Sequence, residues 1–536
     1  MQSRQDVRRP AEATMAMIAT PHHLASEAGL AILQAGGSAV DGAIAANAVL
    51  AVVYPHMAGI GGDAFFLIWD AAGRELVGLN AAGRAAAGAT VEAFARRRLH
   101  SVPVQGALAA VTAPGAVDGW GLAHRRFGRL PWADLLAPAI RYAAEGFPVS
   151  ARLAGALASA RSLLGGCAAA REALYPAGRP PAAGEVLAQP WLAASLRAIA
   201  ADGPDALYRG ALGERLARAC ASAGGWLTPD DLAAQRGEWV APLRGRYRGR
   251  TIAELPPPTQ GATALELLHV ADGWNVRAWG DDSVDYYHHL AEASRLVSAD
   301  RDRYLGDPRY GEVPVAWLIG AERAAALRAA IAPDHVGANP PAPAHGGDTI
   351  FLCVVDAAGN AVSLSESLFY GFGSGFMAGD TGILLHNRAS FFRLDPDHVN
   401  GIAPGKQPLH TLIPAMLLDG GQPSLLFGAM GGEAQPQFQA ALLTRWLDFG
   451  YDVQAAIDAP RWHWTAGGYG PSGTLLLESR VPPSVAQGLL DRGHDLALLP
   501  AWSEAMGHAQ MIAVDRARGR LEGGADPRAD GTALGW

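Results

Sequence analysis

The chain is 536 residues long, half of it hydrophobic and only 18% charged, with a formal net charge of −8. Of its 43 basic side chains only Lys406 is lysine, so P-loops, pyridoxal phosphate enzymes, Schiff-base aldolases and S-x-x-K acylases would all have to use that one amine. The surrounding Gly401-Ile-Ala-Pro-Gly405 and Gln407 break the P-loop pattern, and Ala403 breaks S-x-x-K.

The acidic balance, with no basic stripe beyond Arg96-Arg97-Arg98, argues against nucleic acid or an anionic membrane as partner. Residues 1–12 are polar and the apolar stretch after them stops at Pro21-His22-His23, so no secretory signal is expected and the cytoplasm is the default location. Leu24 to Leu33 has a helical pattern ended by Gly36-Gly37. Ser38, with Asp41 three residues on, predicts the capping box of a buried helix to Val53, too short and too polar at Asp41 and Asn47 to span a bilayer. A strand from Ala64 to Asp70, a turn at Ala71-Ala-Gly73 and a strand from Glu75 to Leu79 follow.

The middle third reads as helical and rich in Ala and Arg, interrupted at Pro256-Pro257-Pro258, and Ala332 to Gly347 reads as an exposed linker. Cys167, Cys220 and Cys353 show no C-x-x-C spacing, which suits a reducing compartment and offers no zinc framework. Neither His22-His23 nor His288-His289 with Glu292 has the spacing of a zinc helix, so no metal and no cofactor is expected. By length alone three or four domains would be ordinary.

The most informative segment follows the linker. Thr349 to Asp356 (TIFLCVVD) is apolar on both faces, as in a strand buried between layers. Ala357-Ala358-Gly359 suits a hairpin loop, and Ala361 to Leu368 alternates strictly, with Ser363, Ser365 and Ser367 on one face. Pairing Asp356 with Asn360 makes partner numbers sum to 716 and sets Thr349 opposite Ser367, with Cβ atoms roughly 4.5–5.5 Å apart. On these residues alone the simpler reading is a cross-strand pair that only hydrogen-bonds.

Taken together, Thr20-Pro-His-His-Leu24, Tyr54-Pro-His-Met57, Gly59-Ile-Gly-Gly-Asp63, Ala113-Pro-Gly-Ala116, Pro256-Pro-Pro-Thr-Gln-Gly261, Gly347-Asp-Thr349, Phe372-Gly-Ser-Gly375, Pro404-Gly-Lys-Gln-Pro408, Met430-Gly-Gly432 and Ala459-Pro-Arg461 resemble the γ-glutamyltranspeptidase family of N-terminal nucleophile hydrolases over nearly the whole chain. The resemblance implies an α+β fold, one four-layer αββα sandwich in place of several domains. It also implies a precursor cut between Asp348 and Thr349 into a large subunit, 1–348, and a small one, 349–536, with a dimer of such heterodimers one assembly open to it. Thr349 would be the nucleophile and its freed α-amine, with a reference pKa of about 7.7–8.0, the base. Ser367 stands where the family has a second hydroxyl beside the nucleophile, and Gly431 and Gly432 match its oxyanion-hole glycines.

The substrate positions depart from the transpeptidases, which hold the glutamyl ammonium with an asparagine and an aspartate. Those positions are Phe369 and Phe391 here, the paired serines are His410 and Thr411, and the arginine position is Ala82, with Arg84 two residues on. The pattern is closer to the oxamate amidohydrolase and acylase branch, with Arg84, Arg388 and His410 available to bind a carboxylate of a small amide substrate. True γ-glutamyl transfer is the alternative within the enzymes, and an uncleaved, non-catalytic binding relative is the alternative outside them. Lys406 lies in the segment leading to His410 and Thr411, where a supporting role is expected.

Overall fold

The computed structural model describes residues 8–338, 347–465 and 472–536; half of the predicted linker, 339–346, therefore lies outside the described residues. The predicted hairpin forms from strands Asp348–Val355 and Ala361–Phe369 and occupies the centre of a seven-stranded sheet. Met17–Thr20 and then Thr532–Gly535 lie on one side of it, and Asp63–Asp70, Glu75–Ala81 and Glu238–Val240 on the other. A second seven-stranded sheet runs Ala11–Ala13, Arg520–Ala525, Ala509–Asp515, Gln422–Ala429, Ala415–Asp419, Arg250–Glu254, Leu243–Tyr247.

The two sheets pack face to face through Met17, Phe65, Leu67, Phe351, Cys353, Met416, Leu426 and Ile512. Because successive side chains alternate, the neighbours Ile18, Phe66, Leu352 and Leu364 point the other way, into a helical layer built on His23–Gln34 and Ala39–Val53. Ile252, Leu417, Leu425 and Phe427 likewise meet helices Gly261–Asp272, Val284–Tyr304 and Gln435–Leu443. The central strands of both sheets are thus covered on both faces, which is why Asp63–Asp70, Asp348–Val355 and Gln422–Ala429 are mostly apolar, and the architecture is the expected four-layer αββα sandwich.

The polar residues of the apolar helix have structural uses. Ser38 and Asp41 form the capping box, and the Asp41 carboxylate also accepts from the N–H groups of Arg129 and Leu130. Asn47 donates to Glu366 and accepts from the Trp120 indole at 2.7 Å. The Glu366 carboxyl, pushed up to about 8 by burial, also accepts from the Gly59 N–H, tying the Gly59–Asp63 turn to the central hairpin. The three cysteines are free, and among the described residues no His/Cys/Asp/Glu group could hold a metal and no helix is long and apolar enough to cross a membrane.

Burial pushes the imidazoles of His22, His56, His410, His463 and His508 down to about 3. Each is neutral in the fold and takes up a proton on unfolding once the pH is below the unfolded value of about 6.5. Their contribution is whole above that pH and is lost as pH falls toward 3, by about 1.4 kcal/mol per histidine per pH unit. The urea midpoint is expected to fall steeply between about pH 6.5 and 5, with net proton uptake on unfolding. A midpoint flat across that window would show that these rings are protonated in the folded state.

Candidate active site

The predicted register holds from Ile350↔Glu366 through Val355↔Ala361 and then shifts, because Asp348 pairs with Phe369. This bulge corrects the expectation that Thr349 faces Ser367 directly. The Ser367 hydroxyl instead donates to the Asp348 carbonyl at 2.5 Å and accepts from the Phe369 N–H at 2.6 Å. Phe369 adopts φ +82, a left-handed backbone that costs a phenylalanine about 1–3 kcal/mol and is held by that contact and by complete burial.

Thr349 is 1% exposed, and its hydroxyl accepts from the Gln435 amide at 3.4 Å. Gly431 and Gly432 form the predicted turn between strand Gln422–Ala429 and helix Gln435–Leu443, with φ +144 and +52. A Cβ on Gly432 would lie 2.9 Å from the Gly347 carbonyl oxygen, so glycine is needed here for both conformation and space. Behind the turn, Gln260 donates to the Gly432 and Thr411 carbonyls, and Arg301 pairs with Glu433 at 3.1 Å. The glycine turn, Ser367 and Thr349 therefore converge on the Gly347-Asp348-Thr349 segment.

Arg388 is brought to the same place. Its guanidinium donates to the Thr411 hydroxyl at 2.9 Å, approaches the Ser367 hydroxyl at 3.5 Å and lies 4.0 Å over the Phe369 ring, which is itself 5.0 Å from that of Phe391. It is 1% exposed, Nε has no partner, and no carboxylate of the described residues lies within 4 Å. Burial pulls its pKa down to about 9, against a raising influence from the Asp63 charge.

The other two residues expected to bind a carboxylate are placed differently. His410 Nε2 meets the Asp63 carboxylate at 3.1 Å, and its Nδ1 accepts from the Leu412 N–H, so both ring nitrogens are used inside the fold. Asp63 also receives the Gly83 and Gly115 N–H groups and stands 3.3 Å from His386; burial pushes its carboxyl up, but the His386 and His410 rings outweigh it and hold it well below the usual range. Arg84 is paired with Glu238. Lys406 donates to the Val399 carbonyl while its backbone and that of Gly405 bond to Ala85, so its loop braces the Arg84 segment.

Sequence reasoning missed Gln435, Gln260 and the Asp63 to His410 contact. The Gly59-Ile-Gly-Gly-Asp63 motif and the Pro-Thr-Gln-Gly261 motif flagged two of these segments without indicating which side chains they met.

A gamma-glutamyltranspeptidase family model matches residues 25–536. The chain belongs to that family. It is 42% identical to an oxamate amidohydrolase proenzyme of Klebsiella pneumoniae over 98% of this chain and 99% of the relative. It is 41% identical to the glutathione hydrolase-like YwrD proenzyme of Bacillus subtilis over 97% and 98%. The crystal structure of a cephalosporin acylase from Bacillus halodurans superposes with a TM-score of 0.92 at 38% identity, covering 100% of this chain and 99% of that one. The fold is that of the N-terminal nucleophile hydrolases, and the family is one of hydrolases and transpeptidases.

On the expectation that the chain is cut between Asp348 and Thr349, the Ser367 hydrogen bond to the Asp348 carbonyl predicts a measurable effect on that step. Ser367→Ala is expected to slow cutting about 10- to 100-fold, the loss of a donor to a carbonyl gaining negative charge at about 1.5–3 kcal/mol. Ser367→Thr should retain most of the rate. Equal cutting by the alanine variant, followed on a denaturing gel, would remove Ser367 from this step.

Proposed function

We propose that the protein is a self-cleaving threonine amidohydrolase that hydrolyses an amide of a small, carboxylate-bearing acyl group through an acyl-enzyme. The observation that carries the substrate class is Arg388. A guanidinium buried with only hydroxyl and aromatic partners pays a desolvation penalty of several kcal/mol that an anionic ligand would offset. Because Arg388 approaches Ser367, whose hydroxyl marks the scissile carbonyl, a carboxylate on Arg388 would lie close to the amide carbon. Oxamate, named for one relative, has that shape.

Maturation begins with the Thr349 hydroxyl attacking the Asp348 carbonyl, and Ser367 donates to the oxygen that becomes negative. The hydroxyl proton passes to the Thr349 nitrogen as the C–N bond breaks, the acyl group moves from nitrogen to oxygen, and water hydrolyses the ester to leave an Asp348 carboxylate, the Thr349 hydroxyl and an amine on Thr349. In turnover that neutral amine takes the hydroxyl proton, the oxygen attacks the substrate amide, and the proton goes to the leaving amine. Backbone N–H groups of the Gly431-Gly432 turn stabilise the oxyanion, an effect typically worth about 2.7–4 kcal/mol per donor. Water then releases the acid. The names of the relatives as proenzymes support the first half of this reading.

A γ-glutamyl group is disfavoured, because its ammonium would meet Phe369, Phe391 and the Arg388 cation, a lining of rings and like charge.

The mature protein should give two bands on a denaturing gel, the smaller with the N-terminal sequence TIFLCVVD, and Thr349→Ala should stay whole. A split at that site in the alanine variant would refute self-cleavage. In an amide panel, oxamate is expected to turn over and glutathione not, and strong glutathione turnover would overturn the substrate reading. Arg388→Met is expected to cut itself yet raise KM for oxamate by about 30-fold or more, the loss of a buried charge partner at about 2–5 kcal/mol.

A further inference from the structure

The Thr349 hydroxyl has one hydrogen-bonding side chain among the described residues, and it is not Ser367. Ser367 is used by the Asp348 carbonyl and the Phe369 N–H, whereas Gln435 Nε2 reaches Thr349 Oγ1 at 3.4 Å. Gln435 is 1% exposed, and its Oε1 is buried with no partner. A buried orphan acceptor costs about 1–3 kcal/mol, so a donor arriving later would relieve it. Cleavage creates such a donor: the Thr349 peptide nitrogen, with one hydrogen, becomes an amine with two.

We propose that Gln435 is the positioning residue of the nucleophile, holding the Thr349 oxygen through Nε2–H in the precursor and accepting from the new α-amine through Oε1 in the mature enzyme. One side chain then fixes nucleophile and base relative to each other. Donation from Nε2 to Oγ1 leaves the hydroxyl proton free to pass to the amine. The helix supplies the rigidity: Gln435 is the first residue of Gln435–Leu443, with Pro436 at its start, and Gln439 one turn on is tied to the Ile413 carbonyl at 2.7 Å.

The charged and titratable groups on the elements packed around Thr349 include Arg388, the Arg301–Glu433 pair beside the glycine turn, Asp348 itself, Glu366 opposite Ile350 on the hairpin and Asp63 opposite Ser367 on the next strand. Gln435 is the neutral group in direct contact, which makes its charge a controllable variable. This inference rests on the threonine-nucleophile reading above.

The test compares wild type, Gln435→Met and Gln435→Glu as full chains. Each is followed for the rate of self-cleavage, for kcat and KM on oxamate, and for the acid limb of kcat/KM against pH. The methionine variant is expected to cut about 10-fold more slowly and to lose about 10- to 100-fold in kcat with KM within a few-fold, the effect of one hydrogen bond to a reacting atom. In the glutamate variant a carboxylate beside the amine stabilises its ammonium form, so the acid limb should move up by about one pH unit, with activity recovering above it. Wild-type maturation and turnover by the methionine variant, or an acid limb in the glutamate variant that coincides with wild type, would overturn the proposal. Where the methionine variant fails to fold by circular dichroism, Gln435→Asn, polar but one methylene short, takes its place. A wild-type chain not cut before Thr349 would fail the functional reading instead, so the two failures are separable.

Discussion

Between Asp348 and Ile350 the central hairpin slips by one residue, and the geometry of the site depends on that slip. Without it, Thr349 would stand opposite Ser367 as an ordinary cross-strand pair. With it, the serine hydroxyl moves onto the carbonyl preceding Thr349, Phe369 is forced into a left-handed backbone, and its ring becomes the platform on which Arg388 lies. Bulges commonly re-aim a side chain at the end of a strand pair. Here the re-aimed serine hydroxyl donates to the Asp348 carbonyl, the peptide preceding Thr349.

The second constraint is electrostatic. Arg388 and Asp63 are both buried and of opposite sign, yet each is solvated by neutral or hydrogen-bonding neighbours: Thr411 and two phenyl rings for the arginine, two imidazoles and two backbone N–H groups for the aspartate. His410 holds Asp63, and its backbone bonds to Pro258 and Gln260, so the loop that presents the Thr411 hydroxyl to Arg388 is anchored at its preceding residue. The anion and the cation act on one another at a distance, without a direct ion pair between them among the described residues.

Much of this was legible in the sequence because it follows from periodicity and register. The two-sided apolar pattern of TIFLCVVD located the central strand, Ser38 and Asp41 located a helix start, and a three-residue loop ending at Gly359, φ +81, fixed the pairing from 350 to 355. The bulge was not legible, because its extra residue falls between Glu366 and Phe369, at the end of the strand, where no further alternation follows to reveal the shift. The contact of His410 with Asp63 was not legible either, since nothing local announces that a residue 347 positions earlier meets its ring. Gln435 escaped notice for a similar reason: a glutamine at a helix start is unremarkable until the strand beneath it is in view.

The two halves of the chain are interleaved. Strands Met17–Thr20 and Asp63–Asp70 flank the hairpin that follows residue 348, and Arg250–Glu254 pairs with Ala415–Asp419 in the other sheet. A cut before Thr349 therefore separates no surfaces, but it changes the molecularity of folding. The intact chain closes these contacts as a unimolecular process, while the cut pair, once unfolded, must find each other by diffusion and pay the entropy of association. Stability after maturation then becomes dependent on protein concentration and, in practice, on how slowly the pair comes apart.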